Sequence, residues 1–357
     1  MDSLIKKDSL EIIERLAEKN QNFAGKKVLL TGAAGFLGIQ FVHFFLTLND
    51  TGVLERPVAI WAYDSFIRGQ PAWVKVVKTY QDVHFINADI TRDIQLENRF
   101  DFIIHAASIA SPSFYRKYPI ETMDANVIGL RRLLNHAIVL PPRSMLFFSS
   151  SEIYGDPTPE AIPTPESYRG NVSCTGPRAC YDESKRFGET LCVNFQKIFG
   201  VPIKIVRPFN NYGPGLKISD RRAIPDFFRD VLSGRNIVLY SDGTPTRTFC
   251  YISDAMVGYL LTLLSEYDGE AFNIGVDGPE IEIQGVAKKV IEVSGKPLKV
   301  VVKKPKDADY LKDNPIRRCP DISKARSLLG YSPAVDLDEG LIRSYAWYTA
   351  NASSVEG

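Results

Sequence analysis

Histidine is scarce: His43, His84, His105 and His136 lie too far apart in the chain to suggest a metal cluster. Cysteine is thin as well, with five residues (Cys174, Cys180, Cys192, Cys250 and Cys319) and no Cys-x-x-Cys pair. The odd count and wide spacing argue against a disulfide framework or a zinc site and point to a reducing, cytoplasmic setting. No apolar run approaches the ~18 residues of a membrane span. At the start, MDSLIKKDSLEIIERLAEKNQN is interrupted throughout by acids and bases, so no secretory h-region is expected there. An excess of one charge is missing too. With 43 basic and 42 acidic side chains the formal charge is +1, which excludes a global field for nucleic acid or an anionic membrane. Any anionic ligand must be held by a few local charges.

What is present is a globular composition. The 357 residues are 45% hydrophobic and 24% charged, enough for one large or two ordinary domains. Short apolar runs at 27–32, 58–64, 83–90, 100–108, 145–151 and 203–210 read as strands, with helical spacing at 36–47, 120–138 and 181–199 between them. Runs apolar on both faces and separated by helices predict an α/β fold with a doubly wound parallel sheet of Rossmann type. Six of the 22 prolines precede residue 151, so the second half should be richer in loops. The simplest organisation has three parts: a helical extension over 1–25; a dinucleotide-binding domain over 26–211, to which 246–264 returns; and a smaller C-terminal substrate-binding α/β domain from 212–245 and 265–345. In the extension, Leu10, Ile12, Ile13 and Leu16 share a helical face, read as a packing or dimer-supporting appendage. The tail 351–357 reads as frayed.

The first apolar run ends in TGAAGFLG, which spaces Gly32, Gly35 and Gly38 as G-x-x-G-x-x-G ahead of a helix. Such a loop turns sharply, lets backbone approach a pyrophosphate, and aims the N–H groups of a helix start at it. Asp64 ends the second apolar run, where a carboxylate accepts hydrogen bonds from a ribose diol. That carboxylate repels a 2′-phosphate, and YDSFIRG offers Arg68 alone in compensation, so NAD is expected rather than NADP. Asp89 and Ile90, ending the third run, are candidates for adenine contact; a strand-end aspartate capping a turn is the alternative. Further on, SSSEIYG precedes ACYDESKRFGETL, in which Tyr181 and Lys185 stand four apart and share a helical face. An ammonium beside a phenol favours the phenolate, making Tyr181 a candidate general base.

Taken together these residues resemble the extended short-chain dehydrogenase/reductase superfamily of nucleotide-sugar epimerases, dehydratases and decarboxylases, from about Lys26 to Trp347. Within it the chain is most similar to the UDP-glucuronate decarboxylase (UDP-xylose synthase) family. The similar stretches are SSSEIYGDP (149–157), GPRACYDESKR (176–186), FNNYGP (209–214), TRTFCYISD (246–254) and RRCPDISKA (317–325). The resemblance implies that Tyr181 is the base and Lys185 its electrostatic partner, with Ser150 or Ser151 on the sugar 4-hydroxyl. Glu152 would act near C5 or on an ordered water; a structural hydrogen bond beneath the sugar is the alternative. NAD would lie against Gly32, Gly35, Phe36, Leu37, Gly38, Asp64, Asp89, Ile90, Ala106, Ala107, Tyr181 and Lys185. The nucleotide sugar would meet Tyr115, Arg178, Asn210, Arg222, Arg247 at its diphosphate, and Arg318 at the sugar or its carboxylate. A homodimer through a four-helix bundle of the helices near 120–138 and 181–199 is also implied, without metal, nucleic acid or membrane.

The reaction so implied is NAD-dependent decarboxylation of a nucleotide-linked uronic acid through a 4-keto intermediate. The 4,6-dehydratases typically carry Thr-Asp-Glu where this chain has Ser150-Ser151-Glu152, so the acid that would protonate a leaving 6-hydroxyl is a serine here. A 4,6-dehydratase or 4-epimerase is nevertheless an alternative, because Gly213-Pro214-Gly215 and Ile224-Pro225-Asp226-Phe227 are worded nearer to the dehydratases. A non-catalytic nucleotide-sugar-binding module is the alternative of another class.

Overall fold

The computed structural model describes residues 2–92, 96, 98–304 and 314–351; the tail 352–357 lies outside them. Helix α1 (Ser3–Leu16) precedes β1 (Lys27–Thr31), α2 (Phe36–Asp50), β2 (Ala59–Asp64), α3 (Trp73–Val77), β3 (Val83–Asn87) and β4 (Phe102–His105). Short helices α4 (Pro112–Lys117), α5 (Pro119–Asp124) and α6 (Leu130–Val139) lead to β5 (Ser144–Phe148), and α7 (Ala179–Phe199) leads to β6 (Ile203–Pro208). Next come β7 (Asn211–Tyr212), α8 (Ala223–Leu232), β8 (Ile237–Leu239), β9 (Thr246–Arg247), β10 (Cys250–Tyr251) and α9 (Ile252–Leu263). The remaining elements are β11 (Ala271–Ile274), β12 (Ile281–Glu282), α10 (Ile283–Ser294), β13 (Val300–Val302), β14 (Arg317–Arg318), α11 (Ser323–Leu329) and α12 (Leu337–Ala350).

Seven strands form one sheet in the order β11-β6-β5-β4-β1-β2-β3, every pair parallel. Parallel strands covered by helices on both faces must be apolar on both, and Val28, Leu29 and Leu30 of β1 and all of β5 are buried accordingly. The order reverses between β1 and β4, the point where a crevice opens at the carboxyl ends of the strands. Gly32 sits there with φ +72°, and a Cβ on it would lie 2.6 Å from the Ala107 backbone. Only glycine fits that approach. Gly38 is closed off for another reason: its Cβ would lie 2.3 Å from the Ala33 carbonyl oxygen, where α2 packs on the loop.

Two boundaries differ from those expected. The segment from 265 is expected in the smaller domain, yet β11 pairs β6 at the edge of the large sheet. The four residues of β11 carry too little pattern to show this. The return to the sheet domain begins later than 246, because β9 stays in a small sheet ordered β12-β9-β14 and α9 is the element that packs back. Helix α1 follows the packing reading and lies against the core, except that Leu10, placed on its apolar face, is exposed. Ile5, Ile12, Ile13 and Leu16 are buried, Arg15 reaches Asp254 at 2.6 Å, and Asp8 accepts from the Tyr251 hydroxyl at 2.8 Å.

Candidate active site

A cleft of about 1630 Å³ opens above the switch point, and every predicted site residue except Gly38 lines it. Its size exceeds the 300–1,000 Å³ or so of a drug-sized pocket and leaves room for two nucleotides end to end. On the cofactor side, Gly35, Phe36 and Leu37 present the first turn of α2, whose N–H groups have no partner within the helix. Asp64 holds the loop: Oδ2 accepts from Ala34 N at 2.9 Å and Oδ1 from Phe66 N at 2.8 Å. Burial raises its pKa, while those two bonds and Lys217 act to lower it. Asp89 caps a turn, its Oδ1 accepting from Thr91 N at 3.0 Å and Thr91 Oγ1 at 2.7 Å, and it also lies on the cleft wall beside Ile90. Ala106 and Ala107 form the floor next to Gly32. These donors, the ribose-facing acid and the space fit NAD.

Ser149, Ser150 and Ser151 follow β5 into the cleft. Ser150 Oγ accepts from Glu152 N at 3.2 Å, starting the tight turn 151–154, and lines the cleft together with Tyr181. Tyr115 stacks on Tyr181 with ring centroids 5.2 Å apart and planes 12° from parallel. Its hydroxyl, like that of Ser149, is buried without a protein partner, as expected of groups that face a polar ligand.

Lys185 Nζ lies 5.7 Å from the Tyr181 ring centroid and donates to the Phe148 carbonyl at 2.6 Å. Burial pushes the lysine down to about 7. Burial also pushes Tyr181 up to about 12, against the Ser150 hydrogen bond and the Arg222 charge. Both charged forms lose water, and that outweighs their attraction at this distance.

Two of the arginines are paired with Glu152. Arg318 forks Glu152, Nη1 to Oε1 at 2.5 Å and Nη2 to Oε2 at 2.6 Å, and Arg178 bonds the same carboxylate from the other side. Burial acts to raise the Glu152 pKa, but the two guanidiniums hold it well below the usual carboxylate range. Glu152 is therefore an ionised clamp between arginines rather than a free acid. Arg247, expected on a diphosphate, lines the cleft and donates to three backbone carbonyls: Pro315 at 2.6 Å, Thr246 at 2.7 Å and Ile316 at 3.0 Å. It stands opposite Arg318 across the β9–β14 pair and braces that wall. Asn210 donates to the Thr248 carbonyl at 2.8 Å, and Arg222 Nε binds Asp220 Oδ1 at 2.5 Å.

Several residues at the site escaped the sequence reading. Asp182, next to Tyr181, lies 3.8 Å from Arg178 Nε; burial first, then the Glu152 charge, raise its pKa. Its place in GPRACYDESKR was the available signal. Asp220 gathers three loops: Arg68 Nη1 at 3.0 Å, Arg222, and Ser111 Oγ on its carbonyl at 2.5 Å. Nothing local in the sequence announces partners so distant in the chain.

A glycine-loop cleft at the switch point, with a tyrosine and a lysine one helical turn apart at its floor, defines a nucleotide-dependent enzyme. The chain belongs to the NAD dependent epimerase/dehydratase family, whose model matches residues 28–275. Its relatives include UDP-glucuronic acid decarboxylase 3 of Arabidopsis thaliana, 37% identical over 88% of this chain and 86% of that one. An epimerase of Methanothermobacter thermautotrophicus has a similar structure, with TM-score 0.81, 26% identity, and 96% and 98% of the two chains covered. So does UDP-glucuronic acid 4-epimerase of Bacillus cereus, solved with UDP-glucuronic acid and NAD: TM-score 0.75, 27% identity, 91% and 99% covered.

Proposed function

We propose that this enzyme decarboxylates a nucleotide-linked uronic acid of the UDP-glucuronate type. One observation carries the reading: the Tyr181–Ser150 pair and the Arg178–Glu152–Arg318 cluster share one cleft with the cofactor loop. Two guanidiniums around one carboxylate leave a net single positive charge, and Asp182, its pKa raised, subtracts little from it. Such a cluster attracts the carboxylate of a uronic acid, which a neutral hexose lacks. The similarity to UDP-glucuronic acid decarboxylases supports the same choice.

A carboxylate on a saturated carbon loses CO2 only when a carbonyl lies β to it. When bound, NAD supplies the hydride acceptor for the sugar carbon bearing the 4-hydroxyl and returns the hydride at the end. Tyr181, once deprotonated, takes the 4-hydroxyl proton, and Ser150, beside it in the cleft, holds that oxygen. Oxidation puts the ketone β to the carboxylate, so the electron pair left by departing CO2 is held as an enolate, which takes a proton at C5 to restore the ketone before its reduction, when Tyr181 gives its proton back to O4. Arg178 and Arg318 fix the carboxylate out of the ketone plane. Tyr115, stacked on Tyr181, excludes water from the phenol.

Residues 26–211 would form the cofactor side and the later segments the substrate side. Exposed apolar residues on the helices around α5–α7, including Ile120, Ile128, Phe187 and Ile198, support a homodimer through those helices, which light scattering tests. Five unpaired cysteines support a reducing, cytoplasmic setting. Proton NMR of the product from UDP-glucuronate tests the function. A nucleotide pentose is expected; an epimerised uronate or a 6-deoxy-4-keto sugar from another nucleotide hexose would install the epimerase or dehydratase reading instead.

A further inference from the structure

The groups assigned to the reaction come from three segments: the turn bearing Ser150 and Glu152, helix α7 bearing Tyr181 and Lys185, and β14 bearing Arg318. Behind the cleft wall a buried polar network joins all three. Tyr154 ends the turn, fully buried. Its hydroxyl donates to Asn273 Oδ1 and accepts from Arg207 Nη1, both at 2.7 Å. Arg207 in turn forks Glu189, Nε to Oε1 at 2.8 Å and Nη2 to Oε2 at 2.6 Å. Glu189 lies on α7 one turn beyond Lys185 and two beyond Tyr181, on the same stripe of the helix. On the other side, Asn273 Nδ2 donates to the carbonyls of Thr164 at 2.9 Å and Asp321 at 3.0 Å. Asp321 follows Arg318 closely, and Thr164 N reaches back to the Cys319 carbonyl at 2.8 Å.

None of Tyr154, Arg207, Glu189 or Asn273 lines the cleft, so none touches substrate or cofactor. A buried guanidinium and phenol carry a desolvation cost that an apolar cluster of the same volume avoids. What a polar network adds is fixed geometry, since each member has one arrangement that satisfies its partners. We infer that Tyr154, held by Arg207–Glu189 and Asn273, is a positioning residue that sets the register of Ser150 and Glu152 against Tyr181 and Arg318. It acts through Ser150, which caps the turn that Tyr154 ends and lines the cleft together with Tyr181. The inference rests on Tyr181 being the base of the proposed reaction.

The test is Tyr154→Phe, which keeps the ring and deletes the hydroxyl, assayed in the intact NAD-bound enzyme. A fall in kcat of about tenfold with KM within about twofold is expected. The acidic limb of the kcat profile should move to higher pH, because a displaced Ser150 stabilises the phenolate less. In a Ser150→Ala background the same substitution should cost less than about twofold. An unchanged kcat with an unmoved limb would overturn the inference, as would an equal loss with and without Ser150. If Tyr154→Phe does not fold, Glu189→Gln, which keeps the side-chain shape, carries the same cycle. A substrate-free measurement separates this inference from the functional reading. The phenolate absorbance of Tyr181, taken as the difference from a Tyr181→Phe counterpart, should titrate at higher pH in the Tyr154→Phe protein. An enzyme inert toward UDP-glucuronate would then count against the proposed function, and an unmoved titration against the network.

Discussion

Replacing Glu152 by glutamine keeps the side chain's shape and removes the negative charge from between two guanidiniums. The intact carboxylate accepts both Arg318 bonds, at 2.5 and 2.6 Å, as well as that of Arg178, and its side chain is only 18% exposed. Each such contact is worth about 4 kcal/mol at an effective dielectric of ~20. Removing one partner from a buried pair costs about 3–5 kcal/mol, most of it from the charge left behind. The loss is blunted from one side. With Glu152 neutral, nearby Asp182 is relieved of the like charge that helps hold it protonated, ionises, and pairs with Arg178 across the present 3.8 Å. A net loss of about 2–3 kcal/mol follows. The pH dependence carries the second half of the reasoning. A carboxyl whose folded pKa is raised binds more protons folded than unfolded above its ordinary value of 3.8, so its contribution to stability falls as pH rises. Relieving Asp182 flattens that slope, and the deficit of the variant should be smaller at about pH 8 than at about pH 6. Urea denaturation followed by circular dichroism reads both quantities. A variant within about 0.5 kcal/mol of the unaltered protein at both pH values would refute the charge-pair reasoning.

Gly32→Ala forces a Cβ to 2.6 Å from the Ala107 backbone at φ +72°; a loss of about 1–3 kcal/mol together with loss of retained NAD should appear in thermal melts and in the nucleotide content of the purified protein. His43 and His105 are buried, which pushes their pKa values from 6.5 down to about 4 and about 3, so the unfolded chain takes up protons first as pH falls below 6.5. Stability should therefore drop from that point downward, His43 alone accounting for about 3 kcal/mol by about pH 4, and a His43→Leu variant should lose that part of the slope. Asp220→Asn weakens the tie among the loops of Arg68, Ser111 and Arg222. Stopped-flow NADH fluorescence should show cofactor release faster by about tenfold, and a rate within twofold of the unaltered protein would mean that the tie does not retain the cofactor.

The parts of the site that the sequence shows most clearly are those whose partners lie within a few residues. Gly32, Gly35 and Gly38 act through one loop, and Tyr181 and Lys185 through one helical turn, so spacing alone exposes them. Membership of the sheet follows from both-face apolar runs until β11, whose four residues depend on β6 for their pairing and carry no periodicity of their own. Long-range charge pairing is where the reading stops. Glu152 and Arg318 meet across 166 positions and Arg68 and Asp220 across 152, and no local pattern foretells that the clamp, rather than free acid and free cation, is what folds. The burial that raises Tyr181 and lowers Lys185 is likewise invisible to their spacing.

The central claim is that CO2 leaves the sugar with no net consumption of NAD. Carboxyl-labelled UDP-glucuronate incubated with the NAD-bound enzyme should release its label as CO2, while absorbance at the reduced-nicotinamide band returns to its starting value and Tyr181→Phe releases none. Label retained on the nucleotide sugar by a folded enzyme that turns the substrate over would contradict it.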